Sequence, residues 1–97
     1  MKSYTNTEPS IDQQEILIHH YNRGDFQQAL DRTKDMLKRF PDSGILYNLQ
    51  GVFHLKLKLF DKAIVSFTQS LKIDPTLVEP RNNLAATHNE IGLALKD

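Results

Sequence analysis

Three of the four histidines, His20, His54 and His88, stand 34 residues apart, and evenly spaced imidazoles first suggest a metal site. Placed on equivalent faces of stacked helices, they would be separated by helix spacings of about 8–10 Å, whereas nitrogens ligating one ion lie ~2 Å from it. Residues repeated along a stack therefore cannot converge. His19 and His20 are adjacent, so on a helix they face different directions and do not chelate as a pair. The zinc pattern H-E-x-x-H is absent, and with no cysteine there is neither a thiolate ligand nor a disulfide. The three histidines are expected to be packing residues, each an apolar ring with one polar tip. No metal and no other cofactor is expected.

Catalytic groupings are equally absent. The sequence has no G-x-S-x-G elbow, no glycine-rich phosphate loop and no cysteine nucleophile. Ser66 and Ser70 fall inside a predicted helix with no base partner visible at the sequence level. Asp12 with Glu15, and Asp31 with Asp35, are carboxylates at helical spacing and read as solvated surface. A non-enzyme is expected. Twelve basic and twelve acidic residues give a net charge of zero, so the broad cationic surface that supplies nucleic-acid affinity is missing, and DNA, RNA and membranes are not expected partners. The first ten residues contain no apolar core of a signal peptide, and no run approaches the ~18 residues needed to span a bilayer, so the expected location is cytoplasmic.

These residues must be positioned by helices. With 97 residues, 39% of them apolar and 25% charged, the chain describes one small globular unit. Met1 to Pro9 is polar and aperiodic, and is expected to be a disordered tail. Ser10 with Gln13 forms a capping-box signature that opens a helix to about Arg23, and Gly24 can take the left-handed conformation that ends it. Asp25 with Gln28 then opens the next helix, whose apolar stripe of Phe26, Ala29, Leu30, Met36, Leu37 and Phe40 stops at Pro41. Asp42 or Ser43 caps a third helix carrying Leu46, Leu49, Phe53 and Leu57, and a fourth carries Phe60, Ile64, Phe67 and Leu71. Thr76 with Glu79 signals a fifth, beginning near Leu77 and continuing through most of the remaining chain.

A shift of 34 residues maps the first pair of helices onto the second: Phe26 onto Phe60, Ala29 onto Ala63, Leu37 onto Leu71, Pro41 onto Pro75. The same shift maps Asn48 onto Asn82 and Gly51 onto Ala85. Within the second copy, Tyr47, Gly51, His54, Ala63, Phe67 and Pro75 follow the pattern W-x2-L-G-x2-Y…A-x3-F…P, and the chain resembles the tetratricopeptide repeat family over nearly everything after Ser10. The resemblance implies an all-α fold: antiparallel helix pairs stacked as a short right-handed solenoid of about five helices. Its repeats would cover about 10–43, 44–77 and a partial 78–97. In the family's plan a small residue at Gly51 lets the paired helix cross closely, against Ala63. The first copy has Leu17 in that place and Thr33 where an aromatic is usual, so looser packing is expected there.

The resemblance also implies a binding surface. The first helix of each pair lines a concave groove, whose inward places include Gln14, Ile18 and Tyr21, then Asn48, Val52 and Leu55, then Asn82, Ala86 and Asn89. Primary amides both donate and accept, so Asn48 and Asn82 are expected to bond the backbone of an extended peptide from a partner protein. Some family members clamp acidic C-terminal peptides with lysine, asparagine and arginine. The matching places here are Gln14, Ile18, Leu49, Glu79 and Asn83, so that specificity does not carry over. A rival reading comes from the L-Y-N-L-Q-G and R-N-N-L-A runs, which look like bacterial arrays attached to glycosyltransferases or protein sulfotransferases that present protein substrates or mediate oligomerisation. Leu84, Ile91, Leu93 and Leu95 lack a partner helix, and further repeats or a second copy in a two-fold homodimer are expected to cover them.

Overall fold

In the computed structural model, which describes residues 7–96, Ser10 starts the first helix through the reciprocal capping box read from the sequence. Its hydroxyl accepts the Gln13 amide at 3.1 Å, and the Gln13 side chain accepts the Ser10 amide at 2.8 Å. Five helices follow: α1 (Ile11–Asn22), α2 (Phe26–Arg39), α3 (Gly44–Lys56), α4 (Phe60–Ile73) and α5 (Val78–Lys96). There is no strand among the described residues. Each helix packs on the next, most extensively α3 on α4, while α5 also reaches back to α3. No described helix is long and apolar enough to cross a membrane.

The two corners within the helix pairs are built alike. Gly24 has φ +79° between α1 and α2, and at the equivalent corner between α3 and α4 Lys58 has φ +61°. At both, the following amide returns to the helix just ended, Asp25 N–H to the His20 carbonyl at 2.9 Å and Leu59 N–H to the His54 carbonyl at 2.8 Å. Glycine pays no Cβ penalty in this region, whereas lysine does. Asp25 does not cap α2 with its side chain as expected. Its carboxylate pairs with Arg23 Nε at 3.3 Å instead, because the corner brings the guanidinium beside it. Ser43 caps α3 as expected, accepting the Leu46 amide at 2.9 Å. At the start of α5 the Thr76 hydroxyl donates to Asp74 Oδ1 at 2.6 Å, so Thr76 belongs to an Asp74 turn rather than to a box with Glu79.

The expected tail, Met1 to Pro9, lies outside the described residues for its first six positions. At its described end the chain is anchored, not free: Ser43 Oγ donates to Glu8, Gln14 Nε2 donates to the Pro9 carbonyl at 3.0 Å, and Pro9 is buried.

Packing repeats with a change of volumes. Leu17, Ala29, Leu30, Leu46, Phe53, Ala63 and Phe67 are buried, the phenylalanines completely. A Cβ on Gly51 would lie 2.4 Å from a Phe67 ring carbon, so the nearest neighbour of this glycine is the aromatic ring. In the first pair the same two places hold Leu17 and Thr33, both fully buried, with the Thr33 hydroxyl donating to the Ala29 carbonyl at 2.7 Å. The large residue has thus moved from the second helix to the first, and α1 meets α2 less extensively than α3 meets α4, as the departure from the repeat pattern implies.

The two ends of the stack differ. Where α3 presents Leu46, Leu49 and Phe53 to the preceding pair, α1 has Asp12, Glu15 and His19, all exposed. At the far end α5 runs straight through Gly92, and Leu93 and Leu95 are 53% and 82% exposed beyond it.

Candidate functional site: the concave groove

The cleft of interest, about 450 Å³, lies where α1, α3 and the start of α5 face one another. Its apolar wall is Ile18, Ile45, Leu49, Leu77, Val78 and Pro80, and its polar groups are Gln14, Asn48 and Glu79. That volume falls within the ~300–1,000 Å³ usual for ligand sites, and the mixture of apolar wall and few polar groups is their usual character.

Asn48 is the polar centre. It is 6% exposed, and its Oδ1 accepts from Asn83 Nδ2 at 2.9 Å, a bond joining α3 to α5. With the oxygen engaged by Asn83, the Asn48 NH2 has no protein partner among the described residues and is free to donate into the cleft. Gln14 is likewise oriented, its NH2 held by the Pro9 carbonyl and its oxygen left as an acceptor. Glu79 is exposed and makes no ion pair among the described residues.

Of the residues expected from the sequence, Gln14, Ile18 and Asn48 line this cleft together. Tyr21 lies apart from it, edge-on to Phe26 with ring centres 5.6 Å apart and with Lys56 Nζ 5.5 Å from its own ring centre. Val52 packs against the core and Leu55 is half-buried. Asn82, Ala86 and Asn89 are exposed on α5 but do not line the cleft, and Asn48 is bonded to Asn83 rather than to Asn82. Leu77, Val78 and Pro80 were not expected to contribute; their signal was an apolar cluster at the turn into α5, the place where a chain re-enters the stack.

The histidines take three different roles. His54 Nδ1 is hydrogen-bonded to Ser66 Oγ at 3.2 Å, and the Ser66 hydroxyl donates to Gln50 Oε1 at 3.0 Å. This is a histidine beside a serine, which the sequence did not reveal; both side chains are nearly buried and border a shallow surface pocket with Asp61, Lys62 and Val65. Burial, reinforced by Lys34 and Lys62, lowers the His54 pKa from its ordinary value of 6.5. His20 is half-buried with Nδ1 4.0 Å from Asp25, and His88 is exposed on α5, contrary to its expected packing role. Among the described residues no group of three His, Cys, Asp or Glu side chains could hold a metal ion.

No protein-family model matches the sequence, and no curated protein matches it. Solved structures do. The chain superposes with a TM-score of 0.78 on the TPR2AB domain of yeast Sti1 in its complex with pHSP90, at 20% identity over 82% of this chain and 31% of that one. This chain has the tetratricopeptide repeat fold. The TPR2B domain of yeast Sti1, in a complex with pHsp70, gives the same TM-score and identity, again over 82% of this chain but 64% of the other. The chain thus spans less than two thirds of either neighbour, and at this identity the likeness is one of fold. In that fold Gly51, Ala63, Phe67 and Pro75 are read as the packing positions of the second repeat, and Gly24, Phe26, Ala29 and Pro41 as those of the first, with Phe60 repeating Phe26.

Proposed function

We propose that this chain is a non-catalytic protein-interaction module whose concave groove holds an extended segment of a partner protein. The observation that carries this reading is Asn48: a nearly buried amide, fixed by Asn83 so that its NH2 serves an apolar cleft, suits a peptide carbonyl flanked by an apolar side chain. That two tetratricopeptide domains of yeast Sti1 occur in complexes with pHSP90 and pHsp70 supports the use of such a fold for holding other proteins. Nothing in the comparisons supports the rival, an array carried by a glycosyltransferase or protein sulfotransferase. An interaction module in the cytoplasm, without cofactor, is the reading adopted.

Asn48→Asp tests it. The substitution keeps the oxygen that Asn83 donates to and removes the donor from the cleft. A hydrogen bond contributes about 1 kcal/mol, so the affinity for peptides selected from a random array should fall about fivefold, and Ile18→Asp should abolish binding. Peptides that bind both variants as well as the parent would show that the groove is not the site.

A further inference from the structure

The groove reading leaves open what the partner segment must look like, and the charges around the cleft decide between classes. Three polar groups line it, and each is accounted for: Gln14 offers an acceptor, Asn48 a donor, and Glu79 the only charge. No lysine, arginine or histidine lines the cleft. Lys56 lies over the Tyr21 ring and Arg81 donates to the Pro75 carbonyl at 2.9 Å; neither lines the cleft. Glu79 stands on the first turn of α5, beside the apolar Val78 and Pro80, exposed and unpaired among the described residues.

We infer that the groove selects an internal segment in which an apolar residue is neighboured by lysine or arginine. This rests on the groove reading above and specifies its ligand. The apolar side chain enters between Ile18, Leu49 and Val78; a main-chain carbonyl accepts from the Asn48 NH2; and the cation meets Glu79. A free C-terminal carboxylate is disfavoured, since it would face Glu79 with no cation in the cleft lining, and like charges brought together select against the wrong partner. Acidic segments are disfavoured for the same reason.

Fluorescence anisotropy with labelled, end-capped peptides of one length, built around Leu-Lys, Leu-Gln or Leu-Glu, is the test. The parent protein should bind them in that order, with about a threefold step from lysine to glutamine, as expected of an exposed ion pair. Glu79→Lys should reverse the order, added salt should narrow it, and the Leu-Lys peptide with a free C-terminal carboxylate should bind more weakly than its amide. Equal affinity for all three peptides, tightest binding of Leu-Glu, or an order unchanged by Glu79→Lys would overturn the charge selection while leaving the groove as the site. No binding of any of them by the parent protein would overturn both readings.

Discussion

Replacing Gly51 by alanine adds one methyl group to the most crowded point of the fold. The new Cβ would lie 2.4, 2.6 and 2.8 Å from three carbons of the Phe67 ring, where carbon atoms normally rest at ~3.5–4.0 Å. Phe67 is fully buried and sits on the helix in widest contact with α3, so the ring cannot swing into solvent and α3 and α4 must move apart. Overpacking of this kind costs about 1–3 kcal/mol, and the better helix propensity of alanine returns about 1 kcal/mol, leaving a net loss of about 1 kcal/mol. Gly92→Ala is the control: it also lies inside a helix, but nothing comes within 4 Å of its added Cβ, so it keeps the propensity gain. The two variants should differ by about 2 kcal/mol, or roughly 8–16 °C in melting temperature at 4–8 °C per kcal/mol for a domain of this size. Thermal unfolding followed by circular dichroism reads this directly, and Phe67→Leu in the Gly51→Ala background should recover part of the loss. A Gly51→Ala protein that melts at or above the parent temperature refutes the crowding argument.

His54 gives a pH dependence of determined sign. Its folded pKa lies below the ordinary 6.5, so under that value the unfolded chain binds more protons than the native one; stability is full above 6.5 and falls as pH drops from there toward the folded pKa. Urea denaturation across this window should show a shallower slope for His54→Tyr than for the parent, and equal slopes would mean that another group is responsible. At the second corner, Lys58→Gly should raise stability by about 0.5–1 kcal/mol, because it removes the Cβ strain at φ +61° at the cost of a more flexible unfolded chain. An unchanged urea midpoint would show that the corner is unstrained.

The five helices were legible because apolar spacing, Ser10, Ser43, Gly24 and two prolines all act within a few residues of one another. Such local signals survive in a bare sequence. What was not legible depends on residues far apart: the Asn83–Asn48 bond spans 35 positions, as does the contact of Ser43 with Glu8, and neither leaves a periodic trace. Asp25 and Thr76 were misread as caps because the sequence cannot show a competing partner; Arg23 and Asp74 took those side chains. Gln14, Ile18 and Asn48 share the cleft, whereas Asn82 and Asn89, placed by the 34-residue period, lie on α5 without lining it. Leu77, Val78 and Pro80 entered it because a turn, which has no period, delivers them.

The exchange of bulk between the two pairs, Leu17 with Thr33 and Gly51 with Phe67, bears on how the chain finds its own register. Repeats built to one plan invite mispairing, since α1 could take the place of α3 on α4, or α3 the place of α1 on α2, with nearly the same stripe of apolar residues. Here such a pairing is penalised from both sides. α1 against α4 would bring leucine onto phenylalanine where there is room for only one, and α3 against α2 would set glycine opposite threonine and leave a hole. Each helix thus carries a label that only its own pair partner complements.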